Sequence, residues 1–576
     1  MLQMSNNIKE IKIGLASCGI AAGGEAVYEK LIAAAGDIPV IKVGCLGHCY
    51  AEPLVEVILQ DDTSLLYGNV PAADAAISNI LACGEAGRLL IPEARKAKEA
   101  VRVLAMAGRI DPNNFDDYIA CGGYEGLKNA LKLAPAEVVN EVKISGLRGR
   151  GGGGFPTGMK WSFLAAKDSA EKIIVCNADE GDPGAFMDRS LMESVPHQVL
   201  EGMLIAAYAT GGTKLVIYCR AEYPMAIRNL KSAIAQIGEH KLNHMAGRVV
   251  DISIKEGAGA FVCGEETALI ASLEGQRGMP RFRPPFPTDK GYNGLPTMIN
   301  NVETFGNVPL IFRTSGADFA KLGTEGSKGT KIFALAGDLK YPGLVEVPMG
   351  TTIADIVFTI GGADPAKVKA VQTGGPSGGC IPVEMFDTPV DYDSLRSLGA
   401  IMGSGGMIVI GNDRCMVETA RYFLDFTHRE SCGKCTFCRI GTTRMFEILE
   451  RIVAGEGKES DLELLEDLGK KIKSGSLCGL GQTAPNPVLA TLRYYRNEYL
   501  EHVREKSCRA LQCNALVDVV LDQSKCVKCK LCIRSCPVNA ISPDFVVDAQ
   551  SCSRCNSCID ICPKHAISRR AKGGSR

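Results

Sequence analysis

No stretch of this sequence approaches the roughly 18 consecutive apolar residues of a membrane span. Its start, Met1-Leu2-Gln3-Met4-Ser5-Asn6-Asn7, lacks a basic segment followed by an apolar one. The expectation is therefore a soluble, cytoplasmic protein with no membrane partner. Surplus charge is missing as well: 64 Lys and Arg stand against 65 Asp and Glu, a formal net charge of -1. That balance gives no electrostatic case for nucleic acid or an anionic surface. A single hydrophobic core cannot serve 576 residues, so roughly three to five domains are expected.

What the chain does have is 24 cysteines. A disulfide-stapled secreted protein is small and carries an export signal, so reduced thiolates holding metal are the better reading here. Near the C-terminus the run Cys526-x2-Cys529-x2-Cys532-x3-Cys536-Pro537 is repeated as Cys552-x2-Cys555-x2-Cys558-x3-Cys562-Pro563. In the two-cluster ferredoxin arrangement three thiolates of each run hold one cubane and the fourth crosses to the other. Cys526, Cys529, Cys532 and Cys562 are then one 4Fe-4S ligand set, and Cys536, Cys552, Cys555 and Cys558 the second. Zinc sites use four ligands in pairs, which fits eight cysteines in two identical runs poorly. A further run, Cys432-x2-Cys435-x2-Cys438, needs a fourth ligand from a distance. Cys478, after a helical stretch near Met445 to Lys473, is the candidate for a third 4Fe-4S site, with a structural zinc as the competing reading. Cys508 and Cys513, spaced x4, belong to none of these cluster sets; a pair of thiolates would be half of a zinc site, its other ligands not identified. Cys176, Cys219, Cys263, Cys380 and Cys415 have no ligand spacing and read as small buried apolar residues.

Gly149-Arg150-Gly151-Gly152-Gly153-Gly154-Phe155-Pro156 contains G-x-G-x-x-G, a weak signal by itself. Phe155-Pro156 is expected to block a helix at that point, leaving an extended loop whose N–H groups can approach a phosphate or flavin. Two further segments, Cys176-Asn177-Ala178-Asp179-Glu180-Gly181-Asp182 and Cys263-Gly264-Glu265-Glu266-Thr267, place carboxylates just beyond strands. That edge of an open α/β sheet is where ligands bind, although helix capping explains the same residue types.

Together with Pro284-Pro285-Phe286-Pro287, Asn300-Asn301-Val302-Glu303-Thr304 and the Cys432 loop, these motifs resemble the flavin-binding subunit of respiratory complex I over about Leu147 to Tyr499. The resemblance implies FMN contacts by Gly151, Gly152, Lys160, Asn177, Asp179, Gly264, Glu265, Asn300 and Asn301. It implies an NAD(H) site formed by Phe155, Phe163, Asp182, Glu266 and Phe286. The family commonly has glutamate at 182 and lysine at 283, where this chain has Asp182 and Arg283. A carboxylate such as Glu266 beside the adenosine ribose favours NAD(H) over NADP(H).

Residues 8 to 90 resemble a thioredoxin-like ferredoxin domain, with Cys18, Cys45 and Cys49 as three ligands of a 2Fe-2S cluster. The fourth is expected near Ala22 or Gly23, neither of which binds iron, so a docking domain that has lost its metal is the competing reading. Cys83 lies well downstream, and His48 reads as a turn residue. The expected fold is multidomain α/β and α+β: a thioredoxin-like domain at 1–90, an FMN- and NAD(H)-binding domain at 91–330, a β-grasp (SLBB-like) insert at 331–412, a helical 4Fe-4S domain at 413–505 and a two-cluster ferredoxin-like domain at 506–576.

With both end domains present, the chain is similar to the β subunit of soluble NAD-dependent [FeFe]-hydrogenases, including electron-bifurcating ones. The same module occurs in NAD-dependent formate dehydrogenases and ferredoxin-dependent transhydrogenases. The resemblance implies a diaphorase-type subunit passing electrons between NAD(H), FMN and clusters. Its implied partners are a catalytic hydrogenase-like subunit, a small 2Fe-2S thioredoxin-like subunit and ferredoxin. A flavin-free electron-relay scaffold is the alternative of a different class.

Overall fold

The computed structural model describes residues 7–245 and 247–572 and divides into two compact units, Met1–Ile410 and Gly411–Arg576. In the first unit, strand Ile8–Gly14 pairs in parallel with Val40–Val43 and antiparallel with Val55–Leu59, which carries Ser64–Tyr67 on its far edge. Ile8, Ile11 and Ile13 point inward and pack with Val27 and Leu31 of helix Gly24–Ala35 and Ile77 and Ile80 of helix Asp74–Leu81.

The central sheet is wholly parallel, in the order Thr297–Asn301, Ile173–Ala178, Lys214–Arg220, Asp251–Gly257. Its inner strands are continuous apolar runs, Ile-Ile-Val-Cys and Leu-Val-Ile-Tyr-Cys, as expected where helices cover both faces. Helix Pro196–Thr210 is buried along nearly all its length. Such a sheet brings the ends of its strands, and the loops after them, to one edge.

A five-stranded sheet follows, in the order Gly343–Pro348, Thr330–Gly337, Gly406–Gly411, Val368–Thr373, Gly379–Pro382, with its own core. It is joined to the central layer by a buried ion pair between Lys331 and Glu303, whose Oε1 also accepts from Ile332 N at 3.0 Å.

The second unit opens with helices Met416–Arg429, Thr436–Val453, Ser460–Gly475 and Asn486–Tyr494. The stretch from Met445 to Lys473 is thus two helices, broken where Gly455 adopts φ 80° and Gly457 packs its backbone against Ile452. Beyond them strand Val517–Leu521 pairs antiparallel with Ile567–Ala571, and between these lie the short helices Leu531–Ser535 and Ser557–Asp560.

The glycine loop corrects one expectation. Phe155-Pro156 does not stop a helix: Thr157–Ala165 begins immediately after it, with extended Pro156 as N-cap. Proline gives up only an N–H that a helix start leaves unbonded, so it suits the beginning of a helix as well as it opposes the middle.

Candidate functional site

The carboxyl edge of the central sheet gathers most of the sequence-predicted flavin residues. Asn177, near the end of Ile173–Ala178, donates from Nδ2 to the carbonyl of Gly264 at 2.9 Å and accepts Asp179 N at 3.1 Å. Asp179 is buried 3.6 Å from the Arg220 guanidinium. Asn300 accepts from Trp161 Nε1 at 3.3 Å, and Lys160 Nζ donates to Ile299 O at 3.0 Å.

The glycine loop closes over this edge. A Cβ on Gly151 would meet Asn301 at 3.0 Å, and one on Gly152, at φ 108°, would meet the Gly403 backbone at 3.0 Å. A Cβ on Gly153 would meet nothing within 4 Å. The loop thus offers bare backbone beside open space. The Thr157 hydroxyl at the head of the following helix is buried without a partner among the described residues. Unspent donors and open backbone at a helix start suit a phosphate-bearing cofactor.

Two expected contacts are spent on the protein. The Glu265 carboxylate is the N-cap of helix Glu266–Leu273, accepting Thr267 N and Ala268 N at 2.9 Å each. Asn301 donates from Nδ2 to Asp188 at 2.5 Å and accepts Thr304 N at 3.3 Å. Asp188, Glu180 and the Glu303–Lys331 pair form the buried layer that holds Asn301, with Glu180 accepting Asp188 N at 3.0 Å. Burial and the neighbouring carboxylates push Asp188 well above the usual range. No spacing rule in the sequence marks this layer.

At the rim, Phe155, Phe163 and Phe286 are 45%, 45% and 50% exposed, an unusual accumulation of free aromatic surface. Phe155 and Phe163 lie 6.4 Å apart. Phe282, 75% exposed, and Met159, 45%, extend the apolar rim without having been signalled by a motif. Glu266 is ion-paired with Arg283 at 2.5 Å and lies 3.8 Å from Lys160 Nζ. Asp182 accepts from the Ser404 hydroxyl at 2.6 Å, and burial pushes its carboxyl up to about 6.

The cysteines fall into the expected groups, with one addition. Cys526, Cys529, Cys532 and Cys562 line one cavity with Leu521, Phe545 and Lys564. The Cys558 thiol, pushed up to about 11 by burial first, also feels Cys552, Cys536 and Cys555. Cys438, likewise at about 11, feels Cys435, Cys478 and Cys432. Cys435 and Cys478 are N-caps of helices Thr436–Val453 and Gly479–Thr483, where helix dipoles favour an anionic cluster.

The addition is a buried tetrad of Cys415, His502, Cys508 and Cys513, whose ligand atoms all lie within 4.8 Å of one another. His502 Nε2 is 3.3 Å from both Cys415 and Cys513, and those two sulfurs are 3.8 Å apart. Tetrahedral zinc with Zn–S of about 2.3 Å separates its ligands by roughly this much. His502 Nδ1 meets the Glu498 carbonyl at 2.7 Å, the outer contact that turns Nε2 toward a metal. Cys415 is therefore not the inert core residue that its lack of ligand spacing suggests. It sits 98 residues from Cys513, and only folding brings it to the pair.

In the N-terminal sheet domain the Cys18 and Cys45 thiols both hydrogen-bond Cys49. The bond to Cys49 lowers Cys18 to about 6, aided by Arg189, whose Nη2 is 3.8 Å from the sulfur. Cys83 is elsewhere, in the apolar core with Ile77 and Ile80, its carbonyl accepting from Arg88. Ala22 caps helix Ser17–Ala21 and supplies no ligand atom. Glu52 lies nearby, its carboxyl raised to about 7 by burial. His48 is buried at the start of the turn Cys49–Ala51, and burial together with Arg95 lowers it to about 4.

The family described as Nuo51 FMN-binding domain matches residues 142–310. The NADH-ubiquinone oxidoreductase-F iron-sulfur binding region matches 418–502, and the 4Fe-4S binding domain matches 519–542 and 545–568. The chain is 54% identical over 442 residues, 76% of its length and 90% of the relative's, to the NADP-reducing hydrogenase subunit HndC of Solidesulfovibrio fructosivorans. It is 45% identical over 405 residues to an NADH-quinone oxidoreductase subunit of Rhizobium meliloti (strain 1021), covering 69% of this chain and 96% of that one. Among solved structures, a NAD+-reducing [NiFe]-hydrogenase in the H2-reduced state aligns with a TM-score of 0.63 at 31% identity, over 86% of this chain and 84% of that chain.

Proposed function

The chain belongs to the family of FMN-binding, iron–sulfur subunits of NADH-quinone oxidoreductases and their hydrogenase relatives, and from that premise we propose that it is the diaphorase subunit of a cytoplasmic, ferredoxin- and NAD-linked, electron-bifurcating hydrogenase. Its proposed partners are a hydrogenase-like catalytic chain, a small 2Fe-2S thioredoxin-like chain and ferredoxin. No helix among the described residues is long and apolar enough to cross a membrane.

FMN held at this edge would supply the conversion between two-electron hydride exchange with the nicotinamide and one-electron exchange with clusters. The chain's own residues set that exchange up. Gly151 and Gly152 let the loop close on Asn301 and Gly403 so that Gly153 leaves bare backbone beside open space, while Asn177, Asp179, Gly264, Asn300 and the Asp188-held Asn301 shape the flavin floor. Glu265 acts by fixing the helix start that carries Glu266. Phe155, Phe163 and Phe286 offer faces for the nucleotide's rings, and no side chain is required as acid or base. Glu266 favours an unphosphorylated ribose, but Arg283 and Lys160 offset its charge, so the preference for NAD(H) is smaller than an unpaired carboxylate would impose.

The Cys432–Cys435–Cys438–Cys478 set and the two C-terminal sets are assigned to three 4Fe-4S clusters, and the Cys415–His502–Cys508–Cys513 tetrad to zinc. The three N-terminal thiols, Cys18, Cys45 and Cys49, are assigned to the partial 2Fe-2S site. One observation carries the reading: bare glycine backbone and a buried polar floor meet at the ligand-binding edge of a parallel sheet, under three free phenylalanines. Anaerobically purified chain is expected to release about one flavin per protein and to bleach near 450 nm on adding NADH. Iron without extractable flavin would instead identify a relay scaffold.

A further inference from the structure

The formal charge is not spread evenly: between 506 and 576 there are twelve Lys or Arg and five Asp or Glu, a surplus of seven positive charges in a chain whose total is -1. The two cysteine loops of this region share a backbone. Lys528 and Lys530 in the first, and Arg554 and Asn556 in the second, all take left-handed φ of 55°, 61°, 58° and 69°. Non-glycine residues accept that conformation at a cost of roughly 1 kcal/mol each.

What the side chains do differs. In the second loop Arg554 donates to the carbonyls of Val517, Cys552 and Ala549 at 2.8, 3.1 and 3.2 Å. Asn556 accepts from Arg569 at 2.8 Å, and Arg569 continues to Leu511 O and Asn514 at 2.8 Å each. This loop is lashed to the segment that carries Cys508 and Cys513. In the first loop Lys528 and Lys530 are exposed, and their ammonium groups make no hydrogen bond or ion pair among the described residues. Lys564, also exposed and unpaired, lines the same cavity as Cys526, Cys529, Cys532 and Cys562. Cys529 is exposed, and beside it Val527 is 57% exposed. Both Cys529 and Cys555 are exposed, so the two loops differ in their side chains: those of the second are tied to the rest of the unit, while the first leaves exposed Val527 beside unpaired lysines, with Lys564 on the same cavity.

We propose that Lys528, Lys530 and Lys564, around Cys529 and Val527, form the docking surface for a small acidic one-electron carrier protein. The proposal rests on the reading of Cys526, Cys529, Cys532 and Cys562 as a cluster site. A cluster held by Cys526, Cys529, Cys532 and Cys562 would exchange one electron per encounter with the carrier's own centre, one oxidised as the other is reduced, with no proton or further reactant. An apolar contact with a cationic rim matches the anatomy of steered, transient interfaces, and opposite charge on the carrier supplies the steering.

The test uses full-length chain, purified anaerobically and quantified for iron and by EPR, with an acidic two-cluster bacterial ferredoxin as probe. Affinity should weaken steeply with salt, and K528E/K530E/K564E should raise Kd by more than about tenfold. Triple Lys→Arg should bind like wild type, and Arg570→Glu should change Kd by less than about twofold. Carboxyl–amine crosslinks to the probe should map to the three lysines. A charge-reversed chain with intact EPR spectra that binds as wild type overturns the proposal, as does equal affinity for a short single-stranded DNA. Absence of the cluster from wild-type chain would instead overturn the ligand assignment beneath it.

Discussion

Asp182 combines a hydroxyl donor, Ser404 at 2.6 Å, with burial that lifts its carboxyl to about 6. Its charge therefore appears within the working pH range of a diaphorase assay. In the proposed nucleotide site the ionised form accepts hydrogen bonds from the coenzyme and the neutral form accepts them less well. The KM for NADH is expected to fall several-fold as pH rises from about 5 to 7, and Asp182→Asn should flatten that profile. Stability changes in the opposite sense. The folded-state value lies above the unfolded carboxylate value of 3.8, so the protonated form is favoured by the fold, and that advantage is lost as pH rises through about 6. Asp182→Asn should consequently melt higher than wild type at neutral pH and no higher at pH about 4. The position is legible in the sequence as a carboxylate beyond a strand, but its environment is not, because Ser404 arrives from a segment 222 residues away.

At the level of elements, local patterns are legible in the sequence and assembled ones are not. Cubane ligand sets announce themselves because a short loop must deliver three thiolates to one face. The tetrad is half visible: Cys508 and Cys513 lie on one loop, whereas Cys415 is the N-cap of helix Met416–Arg429 and His502 sits in the turn Glu501–Glu505. Capping misleads in the other direction, since Glu265 has the look of a ligand and acts as a cap. A metal joining a helix start, a helical turn and a loop should dominate local stability. Elemental analysis of anaerobic protein is expected to give about one zinc per chain alongside cluster iron. Cys415→Ser should lose the zinc while retaining iron, and should destabilise the second unit by more than about 4 kcal/mol. Zinc kept in that variant, or iron lost with it, would contradict the assignment.

For the whole molecule, the division into two units places the proposed flavin floor in Met1–Ile410 and all three proposed 4Fe-4S ligand sets in Gly411–Arg576. On the proposed function, dyes that react at the flavin are expected to need only the first unit, and one-electron carriers that react at the C-terminal sets to need both. The Cys432 set lies inside the matched NADH-ubiquinone oxidoreductase iron–sulfur binding region, and on the function proposed above it is expected to accept electrons first. Replacing Cys432 and Cys435 by serine should therefore leave NADH-driven flavin bleaching and flavin-level dye reduction within about threefold of wild type. The same variant should lose NADH-dependent EPR signals from the C-terminal clusters, which chemical reductants still elicit. If NADH reduced those clusters at wild-type rates, electrons would be reaching them by a route that bypasses Cys432, and the ordering of the chain as a single wire would be wrong.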